Sequence, residues 1–137
     1  MIQQPKDDLS FVTDTHALVW WFVDSPHITP KAIDIFVQCE AGATIIFVPS
    51  IVLAEALSIF EKKRFSFDFK RLFQQIAESE NFVIIPFDYS ILQKMLEIKD
   101  LPELHDKIIV ATAQYLAVPL ITKDKTLRSL SYIETIW

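Results

Sequence analysis

Residues 11–22 read FVTDTHALVWWF. Phe11 to Thr13 make a short apolar, β-prone run, Asp14 ends it, and a helix starts at about Thr15 and carries the apolar stretch Ala17 to Val23. A buried strand, an acid at its carboxyl end and an immediate helix form one unit of an α/β fold. The unit recurs. In LITKDK (residues 120–125) the strand Leu120 to Thr122 runs into Asp124. In IIFVPSIVLAE (residues 45–55) the strand Ile45 to Val48 gives way to a helix that Ser50 is expected to cap, with Glu55 in its first turns. Phe82 to Ile85 is a third strand, stopped by Pro86, and Tyr132 to Ile136 is expected as a fifth on an edge.

Helices fill the intervals. Thr29-Pro30 is an N-cap with proline at the first helical position, followed by Ile33, Phe36 and Val37 and a stop at Gly42. The Ser50 helix extends to about Lys62. Asp68 caps a helix whose apolar face is Phe69, Leu72, Phe73, Ile76 and Ala77. Asp88 caps another, with Ile91, Leu92, Met95 and Leu96, and Glu103 to Ala117 is a further helix. Strands alternating with helices imply right-handed crossovers and a parallel sheet, and continuously apolar strands imply burial on both faces. The expectation is an α/β, three-layer α/β/α domain with a parallel sheet of four to five strands. It spans 1–137 as a single unit, with 1–9 a flexible N-terminal tail.

That topology gathers the acids. Asp14 and Asp124 sit at strand ends, Glu55 leans back toward the start of its helix, and Asp106 in LHDKIIVATA opens another helix. Strand ends and helix starts share one edge of a parallel sheet, where open α/β proteins bind ligands. Singly, each acid has an ordinary account. Asp14 and Asp124 can be N-caps, and Asp106 can favour the positive end of a helix dipole. Glu55 is harder to explain, being the one charge between Glu40 and Glu61; a salt bridge to Lys62 or Lys107 would satisfy it. Together, converging carboxylates repel and call for a cation. Hard divalent ions take oxygen ligands, so the cluster points to metal-dependent phosphoryl chemistry.

Bulk properties narrow the classes. A single glycine, Gly42, excludes glycine-rich phosphate loops. Cys39 is the lone cysteine, so no intramolecular disulfide or cysteine zinc site forms, which suits a reducing compartment. No apolar run is long enough for a membrane span, and MIQQPKDDLS does not read as a signal peptide, so a cytoplasmic protein is expected. The net charge of −5 argues mildly against an extended nucleic-acid-binding face, while a small basic patch, or metal ions bound to carboxylates, could still recruit phosphate. The 51% hydrophobic content, with 11 Phe and 3 Trp, suggests an apolar surface kept for a partner.

The stretches TDTHALVWW, VPSIVLAEAL, HDKIIVATA and LITKD resemble the PIN-domain ribonucleases, and within them the VapC-type toxins of bacterial toxin–antitoxin pairs. The resemblance runs from about residue 10 to the C-terminus. It implies a PIN-like fold, RNA cleavage to 5′-phosphate and 3′-hydroxyl ends with Mg²⁺ or Mn²⁺, and Asp14, Glu55, Asp106 and Asp124 as the catalytic, metal-holding acids. A water of lowered pKa would attack phosphorus in line. Thr122 matches the small hydroxyl residue two positions before the last acid and would position a water or that acid. The implied partners are an RNA substrate, a small antitoxin protein and a second copy of the chain in a homodimer, with no membrane. Many members of the branch carry D-P-F-D-R where this chain has Glu103-Leu104-His105-Asp106-Lys107. His105 is either a substitute group in the outer part of the site or an ordinary exposed histidine.

FEKKRFSFDFKRLF interleaves Lys62, Lys63, Arg64, Lys70 and Arg71 with Phe60, Phe65, Phe67 and Phe69. It reads either as a strip for single-stranded RNA or as the charged face of an apolar helix pair. Trp20 and Trp21 lie about 100° apart on a helix, so one is expected to face a partner. His16 and His27 are expected to have no chemical role. Two rival functions remain at this point. One is a phosphotransfer protein using a strand-end aspartate, disfavoured because His16 stands where a second aspartate is needed. The other is a non-catalytic interaction module on the same fold.

Overall fold

A computed structural model describes residues 9–63, 65 and 68–137. Most of the tail expected at 1–9, together with Arg64 and Phe67 of the basic–aromatic segment, lies outside the described residues.

Five parallel strands form one sheet in the order β3-β2-β1-β4-β5. They are β1 (Ser10–Thr13), β2 (Ile45–Pro49), β3 (Phe82–Ile85), β4 (Leu120–Ile121) and β5 (Thr135–Ile136). Helices flank the sheet. They are α1 (Thr15–Phe22), α2 (Pro30–Glu40), α3 (Ser50–Lys62), α4 (Phe69–Glu78), α5 (Tyr89–Met95), α6 (Leu104–Leu116) and the single turn α7 (Lys125–Arg128). The expected fold class is what is observed. β1 is central, pairing with β2 on one side and β4 on the other, and Val12 aligns with both Phe47 and Leu120. The Asp14 N–H extends the β1–β4 pairing by donating to Ile121 O at 3.1 Å. Val12, Ile46, Val48, Leu120 and Ile121 are buried on this sheet, as strands covered on both faces must be.

The caps follow the sequence closely. Thr29, Asp68 and Asp88 accept backbone N–H groups three residues on, at 3.2, 3.0 and 3.2 Å. Ser50 does not act as the expected cap. It is the first residue of α3, Pro49 precedes it without a side-chain cap, and its hydroxyl accepts the Phe87 N–H at 3.2 Å. The apolar face of α4 is narrower than its sequence suggests. Leu72 and Ile76 are buried and Phe69 is partly so, whereas Phe73 and Ala77 face solvent.

The two tryptophans divide as helical geometry requires. Trp21 is half-buried against the core, stacking on Phe36 at 4.9 Å and lying 5.3 Å from Phe82. Trp20 is half-buried at the sheet edge that carries the acids. The aromatics of the basic segment pack on one another: Phe60 contacts Phe22, Phe65 and Phe69 at 6.3, 4.9 and 6.1 Å. These rings close the gap between α3 and α4 rather than standing free.

α6 ends at Ala117 in the left-handed conformation, φ 58 and ψ 45, with Val118 N–H returning to Ala113 O at 3.1 Å. A Cβ costs roughly 1–2 kcal/mol in that region. Ala117→Gly should therefore raise stability, by about 0.5–1 kcal/mol once the freer unfolded chain is counted. Denaturant unfolding checks this, and a lower midpoint for the glycine variant would refute it.

Candidate active site

Asp14 leaves β1 buried, 8% exposed, and caps α1. Its Oδ1 accepts the Ala17 N–H at 2.9 Å, and the Thr122 hydroxyl also bonds to its carboxylate. Thr122, just past β4, is fully buried, and its Oγ1 accepts the Asp124 N–H at 3.0 Å. One threonine therefore ties together the segments carrying two acids. Asp124 caps α7 through Oδ1 and the Leu127 N–H at 3.1 Å. The capping account of Asp14 and Asp124 is thus correct as geometry, and it coexists with their convergence.

Glu55 faces the same space from α3. The Thr15 hydroxyl donates to its Oε1 at 2.5 Å, and His105 Nδ1 lies 3.1 Å from its Oε2. Neither Lys62 nor Lys107 forms an ion pair with it among the described residues. Asp106 lies in the first turn of α6, where its N–H donates to the capping Glu103 Oε1 at 2.9 Å. His105 Nδ1 is also 3.4 Å from Glu103 Oε2. The histidine therefore spans two carboxylates at the site and is not merely an exposed residue.

A cavity of about 750 Å³ collects these groups. Asp14, Glu55, Asp106 and Asp124 line it, with Thr15 and His105 beside them. Ile51, Ile59, Ile109 and Leu127 form an apolar wall. Sequence reasoning did not single out Thr15, because its partner is 40 residues away. The only local signal was its place directly after Asp14.

Electrostatics report the crowding. The Asp14 carboxyl is raised to about 6, chiefly by burial; the Thr122 and Ala17 hydrogen bonds oppose the rise, and Asp124 and Asp106 add to it. Burial, then Asp124, Glu103 and Glu55, raise Asp106 to about 6. Carboxylates pushed upward by one another are groups that a cation would relieve, and every acidic donor is a hard oxygen. Among the described residues no group of three or more acids, histidines or cysteines is placed so that it could hold a metal ion.

Comparison with known proteins agrees with the fold. The PIN-domain family model matches residues 11–131. The chain is similar to the VapBC2 structure from Rickettsia felis, bound to a promoter DNA fragment, at TM-score 0.71 and 15% identity, covering 93% of this chain and 97% of that one. It is similar to FitAcB from Neisseria gonorrhoeae at TM-score 0.69 and 16% identity, covering 93% and 96%. It is also similar to VapC20 of Mycobacterium tuberculosis, a sarcin–ricin loop cleaving toxin, at TM-score 0.65 and 9% identity, covering 90% and 98%. No curated protein sequence matches the chain.

The raised Asp14 carboxyl gives a signed pH dependence for the metal-free protein. Above about pH 6 the group is charged in both folded and unfolded states, and the folded state bears the cost. As pH falls through 6, only the folded state takes up the proton, so stability rises until the unfolded carboxyl titrates near 3.8. The full effect is on the order of 3 kcal/mol. Asn caps about as well as Asp. Asp14→Asn should therefore melt several degrees above the parent at pH 7.5, with the gap closing by pH 4.5. A variant that melts lower at pH 7.5 would show that the buried Asp14 carboxylate does not cost the folded state.

Proposed function

This chain belongs to the PIN-domain family, and on that premise we propose that it is a metal-dependent endoribonuclease, the toxin of a toxin–antitoxin pair. The observation that carries the reading is the meeting of Asp14, Glu55, Asp106 and Asp124, from four separate segments, on one cavity. Mg²⁺ or Mn²⁺ is the proposed ion, with these four acids as its holders. When bound, it supplies positive charge to the phosphodiester oxygens and acidifies the attacking water.

The chain's own residues do the positioning. Thr122 fixes the Asp14 carboxylate and the Asp124 backbone together. Thr15 and His105 hold the Glu55 carboxylate from two sides, which fixes its rotamer before any ligand arrives. The apolar wall limits the water that reaches this face. Rings and aliphatic groups left in solvent, among them Leu57 at 40% and Phe73 at 45% exposure, are proposed to receive a short antitoxin chain. The toxin–antitoxin assemblies on the same fold support that partner, and a homodimer is proposed alongside it. No helix of the described residues is long and apolar enough to cross a membrane.

The test is cleavage of a mixed-sequence RNA in Mg²⁺, Mn²⁺ or EDTA, together with the melting temperature in each. The parent should cut RNA only with a divalent ion. Its melting point should rise by several degrees in Mn²⁺, since an ion at 100 times its Kd adds about 2.7 kcal/mol. Glu55→Gln and Asp124→Asn should lose nearly all cleavage and most of that rise. A folded protein that binds neither ion and cuts no RNA would instead be a non-catalytic PIN-fold interaction module.

A further inference from the structure

The acidic cavity repels the phosphates of any RNA that enters it, so something nearby must hold the strand. The basic–aromatic segment around Phe60 does not supply it, because its rings pack against each other. A second arrangement lies at the opposite rim. Lys123, between Thr122 and Asp124, places its Nζ 4.9 Å from the centre of the Trp20 ring, and both residues line the acidic cavity. Trp20 in turn lies 6.1 Å from Trp137. Trp137 lines a neighbouring cavity of about 470 Å³ whose charged side chains are Lys31, Lys125 and Arg128. Among the described residues none of these four cations has an ion pair. In a chain of net charge −5, unpaired cations gathered along two tryptophans are not a neutral scatter of surface charge.

We propose that Lys123, Trp20, Trp137, Lys31, Lys125 and Arg128 form a track for one single strand of RNA. The track leads out of the acidic cavity past the C-terminal side of β4. The cations take backbone phosphates, and the two indoles offer faces and edges to unstacked bases, the combination that binds single strands without reading their sequence. Lys123 is the hinge of the arrangement, since the indole beneath it holds its ammonium at the rim where the strand would pass from the basic cavity to the acidic one. The proposal rests on the ribonuclease reading for its substrate, but binding tests it without cleavage.

The experiment measures fluorescence anisotropy of a labelled ten-nucleotide unstructured RNA against the full chain in EDTA, where no RNA is cut. The combined variant Lys31→Gln, Lys125→Gln, Arg128→Gln changes only exposed side chains. It should bind at least tenfold more weakly at low salt, and the slope of log affinity against log salt should fall by about 2, from about 0.7 for each lost phosphate contact. Trp137→Leu should lose roughly tenfold, and Trp137→Phe should keep most of the affinity. Parental binding by all these variants would overturn the track, as would failure of the parent to bind RNA. Loss on the charge variant with no effect of Trp137→Leu would overturn it too, leaving a mere counterion patch. The two readings separate cleanly. Bound RNA that Mn²⁺ never causes to be cut removes the nuclease reading and keeps the track, whereas cleavage by the charge variant at parental KM removes the track and keeps the nuclease.

Discussion

Mutual repulsion among Asp14, Glu55, Asp106 and Asp124 is the constraint around which this molecule is arranged. Left to themselves, the carboxylates would separate or take up protons; burial, with a smaller push from the neighbouring acids, raises the Asp14 and Asp106 carboxyls to about 6. What prevents separation is the sheet. β1 lies between β2 and β4, so the ends of β1 and β4 and the start of α3 after β2 have little freedom to move apart. The buried residues of those strands, Val12, Ile46, Val48, Leu120 and Ile121, provide the hydrophobic free energy that offsets the electrostatic cost. Local bonds then do double duty. The capping bonds of Asp14 and Asp124 start helices and, in doing so, fix the carboxylates.

The parts legible in the sequence are those that depend on neighbours in the chain. Strand runs, the Thr29, Asp68 and Asp88 caps and the order of elements all follow from spacings of a few residues. So did the four acids, because a parallel sheet turns strand ends into a shared edge. Contacts between distant segments were not legible. Ser50 looked like a cap, yet its hydroxyl serves the Phe87 N–H, 37 residues on. Glu55 seemed to want a lysine, yet it found Thr15 and His105, which sit on other helices. His105 follows the Glu103 cap in the first turn of α6, and no local rule says that an imidazole there reaches across to α3.

The aromatic residues teach a related lesson. Adjacent Trp20 and Trp21 have nearly the same sequence surroundings, yet 100° of helical rotation sets one against Phe36 and Phe82 and the other at the cavity rim. Likewise, Phe60, Phe65 and Phe69 looked available for ligands until α3 and α4 were brought together. High aromatic content therefore marked two different things here: a seam between helices, and a surface beside the acids.

The strand order also dictates when the site can exist during synthesis. β1 leaves the ribosome first, but the neighbour that completes it, β4, is translated more than a hundred residues later, and Asp124 follows β4. Until then the nascent chain can pair β1 with β2 and β3, while the Asp14 carboxylate has neither Thr122 nor Asp124 beside it. Elongation at about 5–20 residues per second makes that interval several seconds. The chain would thus emerge with its site unassembled, and its acids unite only after most of the domain has been translated.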